Sequence, residues 1–192
     1  MVLPFVNMSA DPENEYFSDG ITEEIINALT TVKGLKVIAR TSSFAFKNKN
    51  IDVRSIGHQL GVGTVLEGSV RKAKNRVRIT AQLINTNDGT HFWSKNFDRD
   101  LKDIFTLQDE ISVLLADQIR ENFGHIEIPP VLHPTTTHDV KAYDLWLKGS
   151  YHLKRKDYED IKAAMKFFKA AIKVDPNYSE AYAYLGETYI QA

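Results

Sequence analysis

The stretch TVLEGSVRKAKNRVRITAQLINTNDGTHFWSKNFDRD, residues 64–100, decides the fold of this chain. From Val77 to Leu83, apolar and polar residues alternate, which is the period of a β-strand with one buried and one solvated face. A similar alternation precedes this segment, and the sequence at Asn85–Gly89 is typical of a tight turn. Phe92 and Phe97 mark a further strand. The stretch therefore predicts three consecutive antiparallel strands.

Further strand and helix patterns surround this stretch. We predict an irregular strand at Val2–Val6 and a further strand at Leu35–Ala39. Between them we predict a helix that is capped by Asp19, carries its apolar residues at Ile21–Leu29 and ends at Gly34. Two more helices are predicted, one that follows Asp52 and ends at Gly61, and one over Leu101–Asn122. The order is β-α-β-α-β-β-β-α. It predicts an α/β domain with a mixed five-stranded sheet, whose first two helices cover one face while the third covers an edge or end.

The pattern changes after residue 123. Residues 124–139 contain three prolines and three consecutive threonines, a composition that predicts an extended linker. Helical periodicity then predicts three helices, at Ala142–Leu153, Tyr158–Val174 and Ser179–Ala192. We therefore expect an α/β domain at 1–123, a linker at 124–139 and an all-α segment at 140–192.

Composition narrows the classes of function. The 192 residues carry 24 basic and 25 acidic side chains, so the net charge of −1 gives no overall preference for nucleic acid or anionic membranes. The absence of cysteine excludes disulfides, thiol catalysis and cysteine-bound metals. No apolar run approaches the roughly 20 residues that span a bilayer. The cellular compartment remains open, because cysteine-free chains occur on both sides of a membrane.

No pattern in the sequence predicts catalysis, a cofactor or a metal. The glycine-rich segment GHQLGVG, residues 57–63, ends a helix before a strand, which is the reverse of the order that phosphate binding requires. His125, His133 and His138 lie near one another but lack the spacing of metal ligands. We therefore expect no catalytic residues, no cofactor and no metal site.

The three predicted strands also carry a basic cluster, made of Arg71, Lys72, Lys74, Arg76, Arg78 and Lys95. Basic strands with interleaved aromatic residues can bind single-stranded nucleic acid. However, Glu67, Asp98 and Asp100 lie in the same strands and are expected to pair with the basic residues across them. We therefore expect a solvated sheet face and no nucleic-acid partner.

The segment TSSFAFK, residues 41–47, is the candidate ligand loop. Loops that follow strands in α/β sheets often line ligand crevices. The candidate contact residues are Thr41, Ser42, Ser43, Phe44, Phe46 and Lys47. In the alternative interpretation, which we favour, Phe44 and Phe46 anchor the segment in the core.

Small and aromatic residues recur in the all-α segment at positions that could pack its helices together. They are Leu145, Gly149, Ala164, Phe168, Ala171 and Pro176, and then Tyr182, Leu185, Gly186 and Tyr189. Gly149 and Ala164 would let two helices approach closely, while Phe168 would fill the groove between neighbouring pairs. This pattern resembles the tetratricopeptide repeat (TPR), with about three residues too many in the first copy. The second copy stops after one helix, so we expect more repeats beyond Ala192.

The segments VLPFVNMSADPENEYFSDGITEEIINAL and VLEGSVRKAKNRVRITAQLINTNDGTHFWSKNFDRDL carry a second resemblance. Together with shorter segments they make residues 1–123 similar to the TolB-like amino-terminal domain of bacterial proteins. This resemblance implies a non-catalytic domain of a larger bacterial signalling or scaffold protein. It also implies downstream TPRs and an upstream module, such as a nucleotide cyclase or a DNA-binding domain.

Two functional hypotheses follow. The first is a non-catalytic interaction or scaffold module whose TPR helices bind a protein or peptide partner. The alternative is a domain that senses a small molecule through the 41–47 segment and regulates an upstream cyclase or DNA-binding module. We also expect self-association, because the last helix ends in apolar surface at Tyr189 and Ile190.

Overall fold

The computed structural model describes residues 1–124, 127–129 and 136–192. The chain divides into two compact units, Met1–His133 and Pro134–Ala192, and each is described by itself. The predicted linker over 124–139 lies largely outside the described residues, as do His125 and His133 of the candidate histidine group.

The first unit is a mixed α/β domain. Its described strands are β1 (Val6–Asn7), β2 (Thr64–Ala73), β3 (Arg76–Asn85) and β4 (His91–Asp100), and its α-helices are α1 (Glu15–Thr30), α2 (Arg40–Phe44), α3 (Val53–Leu60) and α4 (Ile104–Phe123). The strand order is β1-β2-β3-β4, with β1 parallel to β2 and the other pairs antiparallel. The predicted α/β class and the three consecutive antiparallel strands are confirmed.

The described sheet has four strands, and the prediction of five was wrong. Residues 35–39 form no strand. Instead, Leu35 packs against the buried side chains of Ala28 in α1 and Ala116 in α4. A short apolar run can be buried by helices as well as by strand pairing, and the sequence pattern does not separate the two.

Helices α1 and α4 cover the same face of the sheet, which carries Val70, Ile79 and Phe97. On this face, Lys72 Nζ lies 4.7 Å from the ring centroid of Phe17 in α1. Further along the same face, Arg99 contacts Glu110 of α4 at 2.9 Å. We call this covered face the core face.

Helix α3 contacts β2 at the opposite face of the sheet. There, Val65 and Ile84 lie opposite each other in the strand register and are both buried. The prediction that the first and second long helices share one face was therefore wrong. As predicted, Asp52 caps α3 by accepting from the Arg54 N–H, and Gly61 ends it with a positive φ of 63°.

Helix α1 begins four residues earlier than the predicted cap. It starts at Glu15, so Asp19 lies inside the helix and is only 7% exposed. The prediction that Asp19 caps the helix was therefore wrong. The side chain of Asp19 pairs with Lys47 instead, a contact that spans 28 residues of sequence.

Strand β1 and the residues before it form an interrupted edge of the sheet. The Leu3 N–H donates to Leu66 O and the Met8 N–H to Val70 O, both at 2.8 Å. Between these bonds, the Phe5 N–H turns away and donates to Thr22 Oγ1 at 2.9 Å. The predicted irregularity of this strand is confirmed.

The second unit is all-α among its described residues. It contains α5 (Val140–Leu153), α6 (Tyr158–Val174) and α7 (Ser179–Gln191), each within about two residues of its predicted bounds. Helix α6 contacts both of the others. A Trp146-centred aromatic cluster joins α5 to α7, with Tyr184 edge-on to the Trp146 ring at 5.2 Å between centroids.

Candidate functional site

A cleft of about 560 Å³ lies in the first unit, beside the interrupted edge strand. We call it the polar cleft. Its walls are residues 3–7 and residues 46–51, with Glu15, Val53 and Ile56, and its floor is made by residues 67–69, Thr80 and Gln82 of the sheet. This volume falls within the roughly 300–1,000 Å³ of small-molecule sites.

The floor of the polar cleft is a patch of polar side chains on the face opposite the core face. In the β2–β3 register, Glu67 lies opposite Gln82 and Ser69 lies opposite Thr80. All four residues are half-buried. Thr80 Oγ1 pairs with Asn96 Oδ1 at 2.7 Å. The side chains of Glu67, Ser69 and Gln82 make no hydrogen bond to another described residue, so they are available to a ligand.

A partly buried ion cluster lies at the wall of the cleft. Lys47 Nζ lies 2.6 Å from Asp19 Oδ1 and 2.7 Å from Glu15 Oε1. Because Glu15 and Asp19 are four residues apart in α1, they project from the same side of the helix and reach the same ammonium group. The positive charge of Lys47 is therefore balanced within the protein.

Burial sets the protonation behaviour of this cluster. Burial raises the pKa of Asp19, and the hydrogen bond from Lys47 only partly opposes this rise. For Lys47, burial acts to lower the pKa, but its hydrogen bonds to Asp19 and Glu15 outweigh burial and raise the pKa. The hydrogen bonds of the cluster therefore favour the charged form of Lys47, whereas burial disfavours the charged form of Asp19.

The candidate ligand loop is partly helical, because residues 40–44 form α2. Thr41 and Ser42 are exposed, and the buried Ser43 donates its hydroxyl to Val2 O. The Arg40 guanidinium lies 4.0 Å from the ring centroid of Phe44, which is half-buried.

Only the last part of the candidate segment reaches the polar cleft. Phe46 and Lys47 line it, whereas residues 41–44 do not. Phe46 is half-buried. Ligand contact at Phe46 and Lys47 stays a prediction.

Sequence reasoning missed the floor residues of the cleft. The strand alternation placed Glu67, Ser69 and Gln82 on the polar face, but it did not reveal that other segments of the chain enclose them in a cleft. The signal that was available is Pro4, since a proline in an edge strand marks a break in the hydrogen-bond ladder beside which a cleft can open.

Part of the basic cluster, Arg76 and Arg78, pairs with acidic neighbours in β4 as the sequence predicts. The guanidinium groups of Arg76 and Arg78 both bind the carboxylate of Asp98, the latter at 2.6 Å. Arg76 also contacts Asp100 at 3.3 Å. The hydrogen bonds from Arg78 and Arg76 lower the pKa of Asp98.

The predicted pairing of Glu67 was wrong, and Lys72 and Lys95 lie on the core face rather than on the solvated face. The absence of a nucleic-acid partner stays a prediction.

A second cavity, of about 480 Å³, opens at another part of the first unit. Aliphatic side chains form most of its lining, among them Leu29, Val37, Leu60 and Leu115. It offers few hydrogen-bonding side chains, and therefore little basis for recognising a polar ligand.

The ten predicted helix-packing residues in the second unit differ in burial. Gly149, Ala164, Phe168 and Ala171 are buried, Leu145 and Leu185 are half-buried, and Pro176, Tyr182, Gly186 and Tyr189 are exposed. The close approach at Gly149 is real, because a Cβ added there would lie 2.6 Å from the Phe168 ring. On α7, Tyr189 is 55% and Ile190 is 88% exposed.

Metal-binding groups and membrane-spanning helices were both sought among the described residues. Outside residues 125–126 and 130–135, no group of three or more histidine, aspartate or glutamate residues is arranged to hold a metal ion. None of the described helices combines the length and the apolar character of a membrane span.

The fold defines a small mixed α/β domain with a polar cleft, followed by a helical segment. A family model described as "HilA/YgeH-like transcriptional regulator, second domain" matches residues 1–114. The chain belongs to this family.

One relative links the chain to a signalling protein. The chain is 42% identical over 184 residues to "Putative adenylate cyclase 3" of Rhizobium meliloti (strain 1021). The match covers 96% of this chain but 31% of the relative, so the chain spans less than a third of that protein. The family and this relative agree with the predicted regulatory or signalling class.

Two solved structures are more distant neighbours. Lipoprotein GNA1162 of Neisseria meningitidis is 18% identical, with a TM-score of 0.46, and the alignment covers 64% of this chain and 96% of the lipoprotein. PelC of Paraburkholderia phytofirmans is 18% identical, with a TM-score of 0.34, and the alignment covers 52% of this chain and 69% of PelC.

These findings overturn both resemblances drawn from the sequence. The matching family is HilA/YgeH-like rather than TolB-like, and neither this family nor the two solved structures reported above is named as a TPR protein. The repeat-like pattern at Gly149, Ala164 and Phe168 instead reflects the general need for small residues where two helices approach closely.

Proposed function

We propose that residues 1–133 form a non-catalytic regulatory domain that binds a small molecule in the polar cleft and controls a module elsewhere in a longer protein. One observation carries this proposal: Glu67, Ser69 and Gln82 lie half-buried on the cleft floor without hydrogen bonds to other described residues. Such groups are stable when water or a ligand satisfies them.

Membership in the family supports a regulatory role. The family is named for the second domain of a transcriptional regulator, and the cyclase relative carries a 42% identical segment in less than a third of its length. Because the domain occurs in two proteins with different named activities, a regulatory role explains its presence in both more simply than a single catalysed reaction does.

The charges of the cleft favour binding over catalysis. Acid–base catalysis needs two ionisable groups that are close to the substrate and have separated pKa values. Two of the cleft's ionisable groups, Lys47 and Glu15, are paired with each other. Glu67 is therefore left without an obvious catalytic partner on the cleft floor.

The test uses a longer protein that contains this domain and has a measurable output, such as cyclase activity or transcription. We expect a metabolite screen to find a compound that changes this output, and Gln82→Ala to abolish the response. Ser94→Ala is the matched control, because Ser94 lies opposite Gln82 in β4 but does not line the cleft. A response that survives Gln82→Ala unchanged would refute the proposal.

A second candidate function is protein binding by the second unit. The observation that favours it is the exposed surface of α7, where Tyr182, Tyr189 and Ile190 are each at least half exposed. Tyrosines are enriched at protein interfaces, and the exposed Ile190 adds apolar area to this surface. We propose that this surface binds a protein or peptide partner and that it also allows self-association.

Sedimentation across a concentration series tests the self-association. We expect reversible dimers whose affinity falls in Ile190→Glu, because a buried unpaired carboxylate opposes association. Tyr158→Ser is the control, since Tyr158 is 64% exposed but belongs to α6. A strict monomer at all concentrations would contradict self-association.

A further inference from the structure

We infer that the ligand of the polar cleft is an uncharged polyhydroxylated molecule, of the size of a mono- or disaccharide. The inference rests on the proposed sensing role and adds the chemical class of the ligand. Three features of the cleft carry it, namely its charge balance, the hydrogen-bonding groups of its floor and its apolar wall.

The charge balance disfavours ionic ligands. Lys47 is already held by Asp19 and Glu15, at 2.6 and 2.7 Å. A phosphate or carboxylate would therefore meet the unpaired carboxylate of Glu67 on the floor, and the exposed Lys49 is the one lysine of the described lining outside this ion cluster. A cationic ligand would be attracted by Glu67 but would meet the exposed ammonium group of Lys49 in the same lining. A neutral ligand avoids these repulsions and the cost of removing its own charge from water.

The floor matches hydroxyl groups in chemical character. The amide of Gln82 and the hydroxyl of Ser69 can each donate and accept a hydrogen bond, and the carboxylate oxygens of Glu67 can accept. A sugar hydroxyl also donates and accepts, so it can satisfy each of these groups. Residues opposite each other lie about 5 Å apart, and residues two positions apart on one strand lie about 7 Å apart. These spacings suit several hydroxyls presented by one ring.

The remaining wall supplies an apolar surface. Phe46, Ile51 and Val53 are the apolar residues on the side contributed by residues 46–53, where the polar residues at 47–50 lie among them in sequence as further hydrogen-bonding groups. The faces of a sugar ring carry C–H groups, which pack on aromatic and aliphatic side chains, while its hydroxyls point outward. A polar floor opposite an apolar wall is therefore complementary to a saccharide, whereas an all-aliphatic ligand would leave the floor unsatisfied.

Calorimetric titration of the 192-residue chain tests the inference. The neutral probes are glucose, maltose and N-acetylglucosamine, and the charged probes are glucose 6-phosphate and glucosamine. We expect saturable binding of at least one neutral sugar, with amide NMR shifts concentrated in residues 46–51, 67–69 and 80–82. Gln82→Ala should weaken binding about tenfold, the loss of roughly one hydrogen bond.

Two further variants keep this test decisive. Ser69→Ala is a smaller change at the floor and should also weaken binding, even where Gln82→Ala impairs folding. Ser94→Ala, on the same sheet face outside the cleft, should leave binding unchanged. No saturable binding of any neutral sugar, tighter binding of a charged probe, or equal effects of Ser69→Ala and Ser94→Ala would overturn the inference.

The outcomes also separate this inference from the sensing role. If no sugar binds but Gln82→Ala still abolishes the metabolite response of the longer protein, the saccharide class is wrong and the sensing role stands. If a sugar binds at the cleft but neither the sugar nor Gln82→Ala alters that output, the sensing role is wrong and the assignment of the ligand class stands.

Discussion

At the scale of single residues, Lys47 makes the clearest energetic prediction. Its replacement in Lys47→Met would remove the ammonium group that balances the charge of Asp19, which is only 7% exposed. We expect a loss of about 2–3 kcal/mol in the free energy of unfolding at neutral pH, because a buried carboxylate without its partner is poorly solvated. Urea denaturation measures this loss. Lys49→Met, at an exposed lysine, is the control and should change little.

The pH dependence of this loss provides a separate test. Burial raises the pKa of Asp19 above 3.8, so the folded state takes up a proton more readily than the unfolded state. Stability from this group therefore increases as the pH falls through the raised pKa towards 3.8. Removing Lys47 should raise that pKa further, so the penalty of Lys47→Met should shrink in acid. A penalty that is constant with pH would contradict this assignment.

Gly68 is a second residue whose replacement should be costly. A Cβ added at this position would lie 2.2 Å from the backbone oxygen of Thr80 and 2.7 Å from the Phe5 ring. Since the backbone of β3 cannot move without disturbing the sheet, Gly68→Ala should cost about 1–3 kcal/mol in thermal or urea unfolding. Gly63→Ala is the matched control, because no atom lies within 4 Å of its added Cβ. Equal stability of the two variants would rule out the packing argument.

The residues also show where sequence reasoning succeeds and fails. The caps of α3 at Asp52 and Gly61 could be predicted, since they depend on neighbours within a few positions. The role of Asp19 could not, because its partner Lys47 is 28 residues away and only the folded chain brings the two together.

At the scale of the elements, two glycines in equivalent places of the helical pattern should respond in opposite ways. Gly149 in α5 faces the ring of Phe168, and an added Cβ would lie 2.6 Å from it, whereas Gly186 in α7 has open space around it. We expect Gly149→Ala to destabilise the second unit by about 1–3 kcal/mol. Gly186→Ala should stabilise it by up to about 1 kcal/mol through helix propensity. Circular dichroism melts measure both, and destabilisation by Gly186→Ala would show that α7 packs differently.

Regular elements were predicted well where one periodicity dominates. The alternation in β3 and the apolar stripe of α6 each follow from burial of one face, so their bounds agree with the structure. The prediction at residues 35–39 was wrong, because a run of five mostly apolar residues is compatible with a strand and also with an irregular segment packed on helices.

At the scale of the whole molecule, the two compact units should respond separately to core damage. The Gly68 and Phe5 contact belongs to Met1–His133, and the Gly149 and Phe168 contact belongs to Pro134–Ala192. Scanning calorimetry should therefore show Gly68→Ala lowering the transition of one unit and Gly149→Ala lowering that of the other. A single transition that both variants shift equally would indicate one cooperative unit.

The polar cleft could not be predicted from sequence, because it is built from segments that lie far apart in the chain. Its walls come from residues 3–7 and 46–51, and its floor comes from strands β2 and β3. Such a site requires the parallel pairing of β1 with β2, which are more than 60 residues apart. Local patterns gave the strands, but only the long-range pairing creates the cleft.

The edges of the sheet explain how the domain can keep its strands from joining those of its neighbours. At one edge, Pro4 lacks a backbone N–H and interrupts the hydrogen-bond ladder. At the other edge, β4 turns Lys95 and Arg99 towards the core face, where both contact Glu110. An incoming strand would have to desolvate these charges, which is a known protection against aggregation. Lys95→Val should therefore make the protein scatter more light on prolonged storage, without a matching change in its fold.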